Sequence, residues 1–280
     1  MKLVSYMVDG KATFGVVAGD GIVNATRCLG GRFSTLRQAL AADALDEVRR
    51  ATTGQAPDHW ISDVKFLPVV PDPQRIVCVG INYRSHAEET GRDISPAPSV
   101  FLRLPDTLVG HGGALVRPKV SDKFDFEGEL AFVIGRAGRH VAEADALQYV
   151  AGYSCFVDGS VRDYQKFSVT SGKNFPATGS LGPVLVTTDE IPDPTRLTLV
   201  TRLNGQEMQH SGTDMLIYSI PQVIKFISDF TGLAAGDVIA TGTPAGVGHR
   251  RTPPVWMKAG DVLEVEISGI GTLRNPVIDE

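Results

Sequence analysis

The sequence is poor in cysteine, and this excludes two kinds of protein. Three cysteines occur in 280 residues, and they form neither a Cys-x-x-Cys pair nor an even set. A disulfide framework and a cysteine-based zinc site are therefore excluded. We expect Cys28, Cys78 and Cys155 to be reduced thiols that fill the core.

Long apolar runs are also missing. No run approaches the roughly 20 residues that a bilayer-spanning helix needs. The N-terminal stretch is interrupted by Asp9, Gly10 and Lys11, so it lacks the apolar centre of a signal peptide. These absences predict a cytoplasmic protein that does not enter a membrane.

Positive charge is not in excess. A net charge of −5 and a pI near 5.7 exclude the basic surface that a nucleic acid requires. Hydrophobic residues make up 42% and charged residues 21%, as is typical of a soluble globular protein. Composition therefore predicts a soluble globular protein but does not indicate its reaction or its ligand.

Several common catalytic motifs are absent as well. Lys173 follows Gly172, but the next residue is Asn174 and the spacing of a Walker phosphate loop is not met. The glycine-rich stretch TGTPAGVGH, residues 241–249, opens no obvious helix, which disfavours a dinucleotide site. No GxSxG or HExxH motif occurs, and the six histidines are scattered, which disfavours a serine hydrolase and a histidine zinc site.

The first 70 residues are predicted to form a small unit of their own. Residues 1–24 have strand–turn–strand signals typical of a β-meander. Residues 34–50 have leucines at helical spacing, with Ser34 as the N-cap. Prolines then end the unit, so we expect a small N-terminal α/β domain over 1–70 and a larger domain over 71–280.

The larger domain is dominated by strand signals. One clear helix is predicted at 219–231, with Ser219 as the cap, Pro221 in the first turn and Gly232 at the end. Because strands outnumber helices and do not alternate with them, the fold class is α+β and β-rich. The predicted strand segments are 76–80, 130–135, 152–160, 183–188, 197–205, 237–242 and 261–277.

Alternating acids precede one of these apolar segments, in FDFEGELAFVIGR at residues 124–136. In a single strand Asp125, Glu127 and Glu129 would share one face. A solvated edge strand explains this pattern, and so does a metal site. Glu127 and Glu129 with Asp158, at the end of the next strand segment, would offer the oxygen ligands that suit Mg²⁺, Mn²⁺ or Ca²⁺. The sequence alone does not bring Asp158 beside Glu129.

Three further residues are candidate functional residues, and two of them form a candidate pair for proton transfer. His86 and Glu89 lie three positions apart, on one face of a helix if the segment is helical. A carboxylate beside an imidazole fixes its tautomer and raises its basicity, as a general base requires. A surface pair is the alternative for these two residues, and an exposed loop position is the alternative for Lys173.

Six segments, taken together and in this order, resemble the fumarylacetoacetate hydrolase family. The resemblance covers about residues 70–280 and is to prokaryotic-type members that hydrolyse acylpyruvates or isomerise and decarboxylate related 2-oxo acids. The segments are VGINYRSHAEE, DFEGELAFVIGR, GYSCFVDGSVRDYQ, SGKNFPATGSLGPV, LNGQEMQHSGTDMLIYSIPQVIKFIS and DVIATGTPAGVG.

The resemblance implies a role for particular residues and a β-rich roll or sandwich that forms a homodimer. It gives no ligand position to Asp125, which we expect at the rim of the site or beside the ligands. The implied roles are metal binding for Glu127, Glu129 and Asp158, catalysis for His86, Glu89 and Lys173, and substrate contact for Gln165 and Thr243.

The chain departs from the family at FLRLPD, where many members have FLKP. Arg103 replaces the lysine, and a guanidinium can bind a carboxylate with two hydrogen bonds. We expect Arg103 either to bind a substrate carboxylate or to form a structural salt bridge.

The implied activity is Mg²⁺-dependent hydrolysis of the C–C bond in acylpyruvate-type acids, with water activated by His86 and Glu89. Two alternatives stay open. One is a decarboxylase or isomerase of related 2-oxo acids, including oxaloacetate, and the other is a non-catalytic metal-binding protein. A small 2-oxo acid is the expected ligand in the first two cases.

Overall fold

A computed structural model describes residues 1–280 and has the expected α+β, β-rich architecture. Each of the seven predicted strand segments contains a strand. The 19 strands are β1 (Lys2–Val8), β2 (Lys11–Ala18), β3 (Gly21–Asn24), β4 (His59–Trp60), β5 (Lys65–Phe66), β6 (Ile76–Gly80), β7 (Ser99–Arg103), β8 (Leu108–Val109), β9 (Leu115–Arg117), β10 (Phe124–Asp125), β11 (Gly128–Ile134), β12 (Val150–Val157), β13 (Ser160–Val161), β14 (Gly179–Thr187), β15 (Thr198–Leu203), β16 (Gln206–Gly212), β17 (Val238–Ala240), β18 (Val262–Ile267) and β19 (Gly271–Asp279). The α-helices are α1 (Ala25–Cys28), α2 (Leu36–Ala41), α3 (Leu45–Thr52), α4 (Arg84–Thr90), α5 (Val169–Lys173) and α6 (Ile220–Phe230).

The strands form one large mixed sheet and two smaller sheets. The large sheet has 12 strands, ten of them in the order β4-β3-β2-β1-β14-β12-β11-β17-β6-β7, with β5 beside β1 and β8 beside β14. A five-stranded sheet has the order β16-β15-β18-β19-β9, and β10 pairs with β13 alone. Most neighbours are antiparallel, but β6–β17, β8–β14 and β9–β19 are parallel.

The central strands β11 and β12 are buried on both faces, which explains their unbroken apolar sequence. Leu130, Phe132 and Ile134 of β11 face a core that the five-stranded sheet completes. Ala131 and Val133 face the opposite core, which includes side chains of α2 and α3. Successive side chains of a strand point to opposite faces, so these two strands separate the two cores.

The N-terminal strands join the large sheet rather than a sheet of their own. Strand β1 pairs antiparallel with β14, with Lys2 opposite Val186 and Leu3 opposite Leu185. The sheet therefore runs across residue 70. The division into 1–70 and 71–280 stays a prediction.

Two local predictions were wrong. The helix expected over 34–50 is two helices, separated at Asp43, whose φ of 52° lies in the left-handed region. Thr35, not Ser34, caps the first of them by accepting a hydrogen bond from the backbone N–H of Gln38. Asp tolerates a left-handed conformation better than most residues, and one such residue ends a helix.

The acidic stretch is likewise not one strand. It is interrupted between β10 and β11, which belong to different sheets. At Gly128, where β11 begins, a Cβ atom would lie 2.0 Å from Thr201 Oγ1. Only glycine allows this close approach, which places Glu127 and Glu129 on either side of a fixed backbone position.

The predicted helix at 219–231 is α6, and Ser219 caps it as expected. Ser219 and Gln222 form a capping box, and Pro221 lies in the first turn. The residues Val223, Ile224 and Ile227 are buried. The helix ends at Phe230 with Thr231 as its C-cap, and Gly232 follows the cap directly, at the position that glycine commonly takes after a helix. No helix of the structure is long and apolar enough to cross a membrane.

The cap of α6 supports a stability prediction. Replacing Ser219 with Ala removes the hydroxyl that satisfies a free backbone N–H, so we expect unfolding free energy to fall by about 1 kcal/mol. Urea denaturation measures the change. Ser62→Ala is the control, because Ser62 is exposed and bonds only to its neighbour Asp63. Equal effects of the two substitutions would contradict the capping role.

Candidate active site

Three predicted metal ligands lie together at one end of β11 and β12. Glu127 immediately precedes β11, Glu129 lies within it, and Asp158 immediately follows β12. The antiparallel pairing continues past Gly128, because the N–H of Asp158 donates to the carbonyl of Glu127 at 2.9 Å. One oxygen from each of the three carboxylates lies within 4.8 Å of the others, and all three residues are buried.

Two cations hold Glu127, the buried Lys173 and the half-buried Arg162. Lys173 Nζ lies 2.5 Å from Glu127 Oε2 and 2.5 Å from Asp158 Oδ2, and Arg162 Nη2 lies 2.6 Å from Glu127 Oε1. Burial by itself raises the pKa of Glu127, but the charges of Lys173 and Arg162 outweigh it and hold the pKa far below its usual range. Burial lowers the pKa of Lys173, yet Asp158 and Glu127 keep it above its usual value. Glu127 and Lys173 are therefore an ion pair.

Glu129 has no cationic partner. Its Oε2 accepts one hydrogen bond, from the backbone N–H of Gly242 at 2.8 Å. Burial raises the pKa of Glu129, and the charges of Asp158 and Glu127 raise it further. A buried carboxylate beside two others is costly unless a cation compensates it. Because no side-chain cation pairs with Glu129, a divalent cation that prefers oxygen ligands, such as Mg²⁺, Mn²⁺ or Ca²⁺, fits this site.

Arg103 is buried behind this group of acids and does not line the cavity. Its Nη1 lies 2.6 Å from Asp158 Oδ1 and donates to the carbonyl of Gly159, while Nη2 and Nε donate to Thr178 and Thr107. The sequence left open a substrate contact and a structural salt bridge. The structure has the salt bridge, and it orients the side chain of Asp158.

The His86–Glu89 pair is formed, and His86 is buried rather than at the surface. Both residues lie on α4, with His86 Nδ1 3.0 Å from Glu89 Oε2. Glu89 Oε1 accepts a hydrogen bond from the N–H of Gly246 at 2.8 Å. The helix ends at Gly91, which has a φ of 65°. Because Nδ1 is held by a carboxylate, Nε2 is the nitrogen available for proton transfer.

A cavity of about 340 Å³ connects these groups. Thr243 lines it and donates to the carbonyl of Gly128, and Gln165 lines it and accepts from Arg162. Glu89 acts behind His86 and is not part of the wall. The predicted residues that line the cavity are His86, Glu127, Glu129, Asp158, Gln165, Lys173 and Thr243.

Sequence reasoning missed Arg162 and the cations at the cavity mouth. Arg162 follows Asp158 by four residues in the quoted segment SVRDYQ, of which only Gln165 was singled out. Arg92 and Arg250 also line the cavity, and both are exposed. Asp125 lies outside the three predicted ligands, as expected. It is fully buried, so the rim position is wrong, and the alternative position beside the ligands holds, because Arg162 contacts both Asp125 and Glu127.

The comparison with known families decides the relationship. The model for the C-terminal part of fumarylacetoacetate (FAA) hydrolase matches residues 75–278. The chain belongs to the fumarylacetoacetate hydrolase family. This confirms the resemblance found in the six segments, and the match begins close to the predicted boundary near residue 70.

Members of the family with different activities are similar to this chain. The oxaloacetate tautomerase YisK of Bacillus subtilis is 42% identical over 227 residues, which cover 78% of this chain and 75% of YisK. The maleylpyruvate hydrolase of Sphingobium sp. SYK-6 was solved with manganese(II) and pyruvate. It has a TM-score of 0.84 and 28% identity to this chain, and the match covers 100% of this chain and 99% of the hydrolase chain. The 2-hydroxyhepta-2,4-diene-1,7-dioate isomerase of Mycobacterium marinum has a TM-score of 0.77 and 29% identity, with coverage of 100% and 99%.

The missing charge beside Glu129 yields a prediction about metal binding. We expect Glu129→Gln to leave the metal-free protein at least as stable as the wild type, because burial and the neighbouring carboxylates already disfavour the charged form of Glu129 and glutamine is a neutral side chain of nearly the same shape. Mn²⁺ at 100 times its Kd stabilises the wild type by about 2.7 kcal/mol, and the variant should lose this gain. Thermal unfolding with and without Mn²⁺ measures both effects. Glu207→Gln, an exposed site, is the control, and an unchanged Mn²⁺ response in Glu129→Gln would refute the ligand assignment.

The buried ion pair of Arg103 yields a second prediction. Arg103→Met leaves Oδ1 of buried Asp158 without its guanidinium partner, although Oδ2 keeps Lys173, so we expect the metal-free protein to lose about 3–5 kcal/mol of unfolding free energy. Arg202→Met is the matched control, because its ion pair with Glu266 lies at the surface and should cost about 0–1 kcal/mol. Denaturant titration separates the two. Similar losses would show that Asp158 does not depend on Arg103.

Proposed function

We propose that this chain is a divalent-metal-dependent enzyme that interconverts the keto and enol forms of a 2-oxo diacid such as oxaloacetate. The observation that carries the proposal is that one cavity holds both the three carboxylates and a histidine whose Nδ1 is fixed by a carboxylate. The similarity to YisK favours tautomerisation over the other activities in the family. We further propose a homodimer, which the family resemblance implies, and a cytoplasmic location, which the sequence composition predicts.

Glu127, Glu129 and Asp158 would hold the metal. Mg²⁺ is our first choice, and the oxygen donors suit Mn²⁺ and Ca²⁺ as well. When bound, the metal would supply a Lewis acid for the 2-oxo and carboxylate oxygens of the substrate.

The proton transfer belongs to His86. Glu89 accepts the Nδ1 proton in a hydrogen bond, which leaves Nε2 as the base that takes a proton from C3 of the substrate. Negative charge then develops on the 2-oxo oxygen, and the ammonium of Lys173 stabilises it in a buried site where electrostatic interactions are strong. Return of the proton from His86 to the carbon or the oxygen completes the interconversion.

The mouth of the cavity favours a substrate with a second carboxylate. Arg92 and Arg250 lie there without an acidic partner, whereas Arg162 and Lys173 are already paired with acids. Against these two guanidinium groups the mouth carries one carboxylate, that of Asp93. The distal carboxylate of a diacid would neutralise this excess of positive charge.

Hydrolysis of acylpyruvates, which the sequence favoured, is the second candidate. Here His86 would take a proton from water, and the resulting hydroxide would attack the distal ketone and release pyruvate in its enolate form. The buried His86–Glu89 pair supports this reaction too, as does the likeness to a hydrolase solved with manganese(II) and pyruvate. A non-catalytic protein is disfavoured, since a metal-binding role alone needs neither this pair nor Lys173.

One assay separates the two reactions. With Mg²⁺ present we expect loss of the oxaloacetate enol absorbance to exceed pyruvate release from a panel of acylpyruvates, and EDTA should abolish both. His86→Gln should lower kcat for either reaction by about 10²–10⁴-fold. The control is His210→Gln, because His210 forms a similar but exposed pair with Glu207.

Each contrary result has a distinct meaning. If pyruvate release from an acylpyruvate were faster than loss of the oxaloacetate enol, the proposed activity would be hydrolysis and not tautomerisation. Activity that survives EDTA would overturn the metal assignment. Equal effects of the two histidine substitutions would remove His86 from the mechanism.

A further inference from the structure

Asp125 is a fully buried carboxylate that neither the metal ligands nor the proton transfer explains. All of its hydrogen-bonding capacity is nevertheless used. Oδ1 accepts from the N–H groups of Phe126 and Gly248, each at 2.8 Å. Oδ2 accepts from Arg162 Nε at 2.7 Å and from the N–H of His249 at 3.1 Å. Four donors from three places in the chain therefore converge on one side chain.

One of these contacts leads to the metal ligands. Arg162 binds Asp125 through Nε and Glu127 Oε1 through Nη2, while its Nη1 donates to Gln165. A guanidinium is planar and rigid, so a carboxylate that fixes one edge also fixes the direction of the others. Asp125 thus sets the orientation of the cation that holds Glu127.

The other contacts lead to the His86–Glu89 pair through the segment 242–249. Backbone N–H groups of this segment bind three carboxylates of the site. The pairs are Gly242 with Glu129 at 2.8 Å, Gly246 with Glu89 at 2.8 Å, and Gly248 and His249 with Asp125 at 2.8 Å and 3.1 Å. Asp125 therefore anchors the segment two residues from the N–H group that holds Glu89.

The segment has little freedom to adjust if this anchor is lost or moved. Gly246 has a φ of +104°, and a Cβ atom there would lie 2.1 Å from the carbonyl oxygen of Met208. Arg251 binds the carbonyl oxygens of both Gly246 and Met208. Displacement at Gly248 should consequently reach Gly246, and with it the position of Glu89.

We propose that Asp125 is a positioning residue that couples metal ligand Glu127 to the His86–Glu89 pair. It acts through Arg162 on one side and through the segment 242–249 on the other. Asp125 touches neither the substrate nor the reacting atoms. The inference rests on the proposed function for its effect on the reaction, but its structural part needs no activity.

Asp125→Asn is the test, because it is nearly isosteric and changes one oxygen to an NH₂ group. The amide oxygen can still accept from Phe126 and Gly248. The NH₂ group, however, faces two donors, Arg162 and His249, and that side of the network is lost. Asp237→Asn is the matched control, since Asp237 is also buried, is paired with Arg75 at 2.8 Å and does not line the cavity.

We expect three effects of Asp125→Asn that Asp237→Asn does not share. Hydrogen exchange should rise about tenfold in helix α4, which Asp125 does not touch, as well as in the segment 242–249. Mn²⁺ affinity, measured by calorimetry, should fall about 10-fold or more. With the substrate that wild type turns over, kcat should fall about 10- to 100-fold, with KM within about threefold.

The outcomes separate the inference from the proposed function. Unchanged exchange in α4 together with wild-type Mn²⁺ affinity would overturn the coupling, whichever reaction the enzyme catalyses. Equal effects of Asp237→Asn would show that Asp125 contributes only to general stability, and this result would also overturn the coupling. Should Asp125→Asn not fold, the double variant Asp125→Asn/Arg162→Gln restores the charge balance, and its α4 exchange decides, with Arg162→Gln alone as the reference because Arg162 itself holds Glu127. Wild-type inactivity on all 2-oxo acids would refute the proposed function alone.

Discussion

An imbalance of buried charge is the constraint on which the site depends. Four buried carboxylates, those of Asp125, Glu127, Glu129 and Asp158, meet three cations, those of Arg103, Arg162 and Lys173. Each cation touches an acid, and the acid left over is Glu129. Buried charges persist in a protein when they are paired, so an arrangement that leaves one unpaired is suited to bind a further cation. The ion pairs of the other three carboxylates hold these side chains in place, so they cannot move to compensate for the missing cation beside Glu129.

The large sheet makes such a group of charges sustainable. Strands β11 and β12 lie between two hydrophobic cores, and the three predicted metal ligands lie at one end of this pair. Interiors packed at the density of organic crystals do not yield easily to electrostatic repulsion. The cores thus stabilise a site whose own charges are unfavourable. The segment 242–249 closes the site from the other side with backbone N–H groups, which bind carboxylates without adding a titratable charge.

Local features were predictable from the sequence, and features that depend on pairing between distant segments were not. The α6 cap and the His86–Glu89 spacing follow from the geometry of a helix, which extends over a few residues. The proximity of Asp158 to Glu127 depends on the register of β11 against β12, which is set by the cores of the whole sheet. The order of the six family segments along the chain gave the assignment of the three predicted metal ligands, which the periodicity of the sequence could not give.

The arginines of the site illustrate the same limit. Arg103 and Arg162 are separated in sequence from the acids that they bind, and an isolated sequence offers each of them many acidic partners. The fold decides which of these acids each arginine binds. The break at Asp43 had a different cause: helical spacing of leucines persists across a short turn, so periodicity alone overestimates the length of a helix.

The proposed mechanism also explains how one site could serve different reactions. The proton transfer that we propose for His86 and the charge stabilisation that we propose for Lys173 would serve tautomerisation and C–C hydrolysis equally. The two reactions differ in whether water reaches the distal carbon. We propose that this access depends on the cavity mouth, where the exposed Arg92 and Arg250 lie, rather than on the three buried carboxylates. Substitutions at the mouth can therefore change the reaction while the buried charges, which the fold cannot alter cheaply, stay as they are.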